Sequence, residues 1–192
     1  MRITGGKARG ITLKAPKGDR TRPATDRMRE AVFSSLGPSV TGSQVLDLFA
    51  GTGSYGLEAL SRGAASVTFV EHDRSALSCL QANGAAVLRS CERERSSMHL
   101  VEHDVYRCSK QLQRYELIFV DPPYASIAAN LEQLFAAVID SCTVEGARVC
   151  LEVPGDFALH INGWEVLRRI GKAGTDKPTV ALLQRTAAHS QS

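Results

Sequence analysis

The chain has 192 residues, 43% of them hydrophobic and 22% charged, the composition of an ordinary globular domain. No run approaches the roughly 20 apolar residues that a membrane-spanning helix needs, and Met1-Arg2-Ile3-Thr4-Gly5-Gly6 lacks the apolar stretch of a secretory leader, so a cytoplasmic protein with no membrane partner is expected. The net charge of +3 hides an asymmetry, because residues 1–29 hold nine Lys or Arg against two acids, a segment suited to meeting a polyanion.

Residues 1–15 read as a small hairpin in which Ile3 and the alternating Ile11-Thr12-Leu13 flank a basic, glycine-rich loop, Gly5–Gly10. Thr25 or Asp26 then caps a helix whose apolar positions Met28, Val32, Phe33 and Leu36 follow helical spacing, and Gly37-Pro38 ends it. From there strand and helix alternate. Strands are expected over Gln44–Phe49, Ser66–Glu71, Met98–His103, Leu117–Val120 and Arg148–Val153, with helices over Tyr55–Arg62, Arg74–Arg89 and Ile127–Ser141. Repeated strand–helix units build a parallel sheet covered by helices on both faces. The tail changes character: Trp164–Arg169 and Thr179–Arg185 predict a terminal hairpin, while the charged Cys91–Ser97 predicts an exposed loop or helix end. Cys79, Cys91, Cys108, Cys142 and Cys150 are scattered without a CxxC pair, a pattern of incidental thiols, so neither a disulfide framework nor a metal is expected. The five histidines show no ligand spacing.

Val45-Leu46-Asp47-Leu48-Phe49-Ala50-Gly51-Thr52-Gly53-Ser54-Tyr55-Gly56 is an apolar strand, a glycine turn and a helix start. Gly51-x-Gly53-x-x-Gly56 has dinucleotide-type spacing, and Glu71 stands where that motif expects a ribose-binding acid. Asp47 argues against NAD, since a pyrophosphate repels a carboxylate. An adenosine cofactor carrying an ammonium welcomes one, and S-adenosylmethionine (SAM) is such a cofactor.

A second motif follows the strand Leu117–Val120: Asp121-Pro122-Pro123-Tyr124. In a doubly wound sheet both motifs reach one cleft, outside the carboxyl ends of the strands. The prolines remove amide donors, which leaves the Pro122 carbonyl and Asp121 as acceptors beside the flat face of Tyr124. Two acceptors and an aromatic plate suit a planar base with an exocyclic amine, held by its two hydrogens and stacked on the ring. Taken alone, the tetrapeptide could be no more than a tight turn.

The pair of motifs resembles the class I SAM-dependent amino-methyltransferases. Met1-Arg2-Ile3-x-Gly5-Gly6-x-x-Arg9-Gly10, Arg22-Pro23-x-Thr25-Asp26-Arg27-x-Arg29-Glu30-Ala31-x-Phe33 and Leu46–Gly53 narrow it to the bacterial RsmD family, over about residues 1–155. The resemblance implies an α/β, Rossmann-like class I fold with a mostly parallel seven-stranded sheet and a small N-terminal β-hairpin extension. It implies a basic, RNA-contacting unit over residues 1–37 and a SAM-dependent methyltransferase domain over 38–188. It also implies methylation of guanine N2 in 16S ribosomal RNA, on assembled or partly assembled small ribosomal subunits, by a monomer.

By the same resemblance Asp47, Gly51 and Gly53 cradle the methionine end of SAM, and Glu71 accepts the ribose hydroxyls. Asp104 takes the adenine amine, unless it only caps a helix, and Val105 lies against the adenine ring. Asp121 and the Pro122 carbonyl hold the target amine, Tyr124 stacks on the guanine, and Pro123 completes the substrate side. Lys7 and Arg9, on what reads as a flexible loop, are the better RNA contacts. Arg22, Arg27 and Arg29 either touch phosphate or ion-pair within the fold. Glu152 is expected to be structural. Two other functions fit some of these residues: adenine-N6 methylation of DNA or RNA, which shares Asp-Pro-Pro-Tyr, and a non-catalytic SAM-binding ribosome assembly factor.

Overall fold

The computed structural model describes residues 1–16, 25–172, 174 and 177–186, without the side chains of residues 124–126 and 128. Seven strands, β1 Gln44–Leu48, β2 Ser66–Glu71, β3 Met98–Glu102, β4 Tyr115–Val120, β5 Thr143–Pro154, β6 Trp164–Ile170 and β7 Pro178–Arg185, form one sheet in the order β3-β2-β1-β4-β5-β7-β6. The first five pair in parallel. β7 runs antiparallel between β5 and β6, so the expected terminal hairpin is present and the sheet is mixed at that edge. β6 shifts register between Val166 and Arg168.

The strands read as nearly unbroken apolar runs because both faces are covered. Val45, Val67, Phe69, Leu117, Phe119 and Cys150 point into one core, packed by α1 Asp26–Leu36, α2 Ser54–Ser61 and α3 Arg74–Ser90. Leu46, Leu48, Val70, Ile118, Val120, Val149 and Leu151 point into the other, packed by α4 Tyr124–Leu134 and the π-helical segment Phe135–Ile139 that continues it. The expected single helix over Ile127–Ser141 therefore starts earlier, directly after Pro123, and changes pitch before ending.

Thr25 caps α1 as expected, its hydroxyl accepting from Met28 N. The buried stripe of α1 is Arg29, Val32, Phe33 and Leu36, the expected set with the charged Arg29 in the place of Met28. The N-terminal hairpin is real but slight: Ile3 N donates to Ile11 O at 2.9 Å and Leu13 N to Met1 O at 3.0 Å, around a single Arg2–Thr12 bridge.

This hairpin is not a free arm, contrary to the expectation of a flexible loop. Lys7 N donates to Ser61 O at 2.8 Å, Ala8 N to Ser61 Oγ at 2.9 Å, and Ser61 Oγ to Gly5 O at 2.6 Å. Gly6 lies at φ +75° with its missing Cβ only 1.9 Å from Ser61 O, so only glycine lets the loop lie on α2 this closely. Beside it the fully buried Glu58 accepts from Thr4 N, Thr4 Oγ1 and Gly5 N at 2.7–2.8 Å. It also accepts from Arg62 Nε at 2.7 Å, with Arg29 Nε 4.0 Å away. One carboxylate thus joins the hairpin, α1 and α2.

Candidate functional site

The chain runs outward from β1 to β2 and β3, then returns to β4 on the other side of β1. That reversal opens a crevice at the carboxyl ends of β1 and β4, the place where such sheets take ligands. Gly51–Gly56, Glu71, Asp104 and Asp121 all follow or end parallel strands there.

The loop after β1 is held in a strained form. Phe49 sits at φ +58° and Gly51 at φ +54°, and a non-glycine residue in the left-handed region costs about 1–3 kcal/mol and gathers at functional sites. Gly53, at φ +85°, leads into α2, and a Cβ there would stand 2.2 Å from Leu80 Cδ1. Asp47 is 2% exposed and its Oδ2 accepts from Gly56 N at 2.8 Å. It therefore caps α2 from the neighbouring strand and satisfies one of the amides a helix start leaves open. This hydrogen bond fixes the carboxyl beneath the loop and shapes the turn, with Oδ1 making no part of it. Burial, reinforced by the charges of Asp121 and Glu71, pushes Asp47 well above the usual carboxylate range.

Glu71 is 8% exposed. Its Oε2 accepts from Gly51 N, and its Oε1 from His72 N and Asp73 N, all at 2.8 Å. A carboxylate offers about four acceptor positions, so three fixed amides orient Glu71 and leave one position for a ligand hydroxyl. Asp104 caps the short 3₁₀ turn Val105–Arg107, its Oδ1 accepting from Tyr106 N at 2.8 Å. Of its two expected roles, helix capping is the one the geometry displays. Val105 is 2% exposed and packs into the core beneath this turn. The partly exposed aromatic surface here is instead Phe49 with Tyr106, whose ring centroids lie 6.0 Å apart edge to face. Sequence reasoning passed over both. The cue for Phe49 was its place between the strand and the first glycine.

On the β4 side, Asp121 N lies 3.4 Å from Leu48 O, which ties the second motif to the end of β1. Asp121 keeps partial exposure, yet the surrounding protein strips water from its carboxyl and pushes its pKa to about 7. Pro122 is buried and Pro123 exposed, between β4 and α4. The Tyr124 side chain and Arg22 lie outside the described residues.

Among the cations, Lys7 and Arg9 are exposed on the pinned loop. Arg29 is not a surface residue: it is 0% exposed, and its Nη2 donates to Arg2 O and to Asp26 Oδ1. Of the two expected roles of Arg29, phosphate contact or an ion pair within the fold, the structure displays the ion pair, because its guanidinium lies on the core stripe of α1. Among the described residues no group of three or more His, Cys, Asp or Glu could hold a metal ion.

A family model described as Conserved hypothetical protein 95 matches residues 1–179. The chain belongs to this family. Over 124 residues it is 37% identical to the Putative rRNA methyltransferase YlbH of Bacillus subtilis, across 65% of this chain and 67% of that protein. Over 131 residues it is 38% identical to the Ribosomal RNA small subunit methyltransferase D of Escherichia coli, across 65% of this chain and 60% of that one. The matched stretches thus span about two thirds or less of these relatives. Among solved structures, a putative methyltransferase, yhhF, from Escherichia coli superposes with a TM-score of 0.79 at 31% identity, covering 96% of this chain and 97% of that one. The fold is the class I methyltransferase fold that the family's sequence motifs implied.

Proposed function

We propose that this chain transfers a methyl group from SAM to the exocyclic N2 of a guanine in small-subunit ribosomal RNA. The observation that carries the reading is the crevice itself, where a glycine loop braced by Glu71 faces Asp121 across the β1–β4 seam. The names of the relatives, rRNA methyltransferase and small subunit methyltransferase D, support the same reaction.

The residues fit SAM. Gly51 and Gly53 leave the loop without a Cβ toward the crevice or α3, Glu71 keeps an acceptor position for a ribose hydroxyl, and Phe49 with Tyr106 offers an aromatic surface to adenine. When bound, SAM supplies an electrophilic methyl group on a sulfonium. Asp121 and the Pro122 carbonyl hold the target amine by its hydrogens, with Pro123 and Tyr124 flanking the base. The ionised Asp121 offsets positive charge developing on the nitrogen, and the surplus proton leaves to solvent. Positioning and electrostatics of this kind can supply several kcal/mol. Lys7, Arg9 and Arg22 make residues 1–37 the RNA-contacting unit, and residues 38–188 are the methyltransferase domain. The working form is a cytoplasmic monomer acting on assembled or partly assembled 30S subunits.

The test is transfer of labelled methyl from SAM to small subunits taken from a strain lacking this protein, followed by nucleoside analysis. N2-methylguanosine with the wild-type chain, and none with Asp121→Ala that still binds SAM, is the expected result. Label on adenine alone would transfer the site to N6 chemistry. SAM binding without label on any nucleic acid would leave an assembly factor. Normal turnover by Asp121→Ala would remove the amine-holding role.

A further inference from the structure

Strand register places a second carboxylate beside the first. Val120 of β4 pairs with Leu151 of β5, so Asp121 and Glu152 follow side by side, both on the face that carries Phe119 and Cys150. Glu152 is 4% exposed, and burying a carboxylate is costly enough that proteins rarely do it without a use.

Above this pair lies Tyr55 of α2. Its ring stacks on Phe119 with centroids 5.0 Å apart and planes inclined by 17°. Tyr55 is 4% exposed, and its hydroxyl has no hydrogen-bond partner among the described residues. Such an orphaned group costs free energy and calls for a missing partner. Burial first, then the charges of Glu152 and Asp121, hold its proton more tightly than usual. The hydroxyl therefore lies within electrostatic reach of both acids and keeps its proton to donate.

The Watson–Crick edge of guanine presents N2–H, N1–H and then O6: donor, donor, acceptor. Resting on the guanine-N2 reading, we propose that Glu152 and Tyr55 are the specificity-determining residues for the target base, Glu152 accepting N1–H and the Tyr55 hydroxyl donating to O6, while Asp121 holds N2. A carboxylate has enough acceptor positions to keep a contact within the fold and still take one N–H. Adenine cannot satisfy this row. Its N1 is a lone pair facing a carboxylate, and a site built to hydrogen-bond one edge rejects a base lacking it far more strongly than an apolar pocket would.

The experiment compares kcat/KM on reconstituted small subunits carrying guanine or 2,6-diaminopurine at the target position, for wild type, Glu152→Gln and Tyr55→Phe. Diaminopurine keeps the N2 amine but has no N1–H and no O6. Wild type should favour guanine by about a thousandfold or more. Glu152→Gln should lose tenfold or more on guanine and narrow that preference, because a rotated amide can donate to N1 of the analogue. Tyr55→Phe should lose about tenfold on guanine while SAM affinity and Tm stay at or above wild type, since the lost hydroxyl has no partner in the described protein. A merely structural role for either residue would lower both substrates alike and leave the ratio unchanged. An unchanged ratio in both variants overturns the inference. Absence of N2-methylguanosine already in the wild-type arm overturns instead the reading on which it rests, and the inference with it.

Discussion

Glu58→Gln removes one negative charge from a fully buried position without changing volume. The carboxylate it replaces accepts from Thr4 N, Thr4 Oγ1, Gly5 N and Arg62 Nε at 2.7–2.8 Å, and lies 4.0 Å from the 0% exposed guanidinium of Arg29. A glutamine amide must turn its NH2 toward at least one of those donors, and the Arg29 guanidinium loses a buried negative charge while keeping Asp26, 2.8 Å away. Breaking a buried pair by removing one partner costs about 3–5 kcal/mol. At about 2–4 °C per kcal/mol for a domain of this size, Tm should fall by about 6–20 °C. Differential scanning calorimetry, with urea unfolding to check that the transition stays two-state, measures it. A fall smaller than about 2 °C would refute the reasoning. It would show that Ile3, Val32 and Phe33 hold the hairpin and α1 by apolar packing alone.

The activity should depend on the ionisation of Asp121, whose pKa is pushed up to about 7 by desolvation. kcat should rise between pH 6 and 8 in the wild type, and a low, flat profile is expected for Asp121→Asn. The same raised pKa means that this carboxyl favours the fold most below about pH 4, and that its contribution is lost as pH climbs through 7, so urea midpoints should show the opposite slope to activity. Gly53→Ala places a Cβ 2.2 Å from Leu80 Cδ1 at φ +85°. It should cost about 1–2 kcal/mol in backbone strain alone and weaken SAM binding tenfold or more by calorimetry; unchanged binding would separate the loop from the cofactor. Replacing both Lys7 and Arg9 by Ala should leave SAM affinity intact and reduce the slope of log affinity for small subunits against log salt by about 2. An unchanged slope would move the RNA surface elsewhere.

Much of this was legible because the fold's signals are local. Parallel strands announce themselves as unbroken apolar runs, and the glycine loop and Asp-Pro-Pro-Tyr mark the ends of two of them. What stayed hidden depends on tertiary placement. Arg29 occupies the first position of a helical core stripe, but a charged side chain there reads as surface until Glu58 arrives from α2. Asp47 was readable from the motif as a loop acid, yet only the packing of α2 against β1 shows that its Oδ2 accepts from Gly56 N. The strand β5 begins at Thr143 rather than Arg148 because its pairing with β4 absorbs an irregularity between Tyr115 and Leu117. No periodicity predicts such a slip. The positive φ of Phe49 and the orphaned hydroxyl of Tyr55 are likewise properties of three-dimensional fit.

The register shift in β6 bears on how the protein lives among copies of itself. An open sheet ends in strands whose free N–H and C=O groups invite another chain to pair. β6 is such an edge, and it exposes Val166 and Leu167. The irregularity between Val166 and Arg168 interrupts a flat hydrogen-bonding row at that apolar pair. Arg168 and Arg169 then set charge beside it, and Arg169 reaches back to Gly155 O and Phe157 O, covering part of the margin with its own side chain. The opposite edge, β3, is only five residues long and carries exposed His99 and Glu102. Straightening β6 by removing the extra residue, while keeping every catalytic group, would therefore trade a kinked, charged border for a sticky one, and aggregation would rise before activity fell.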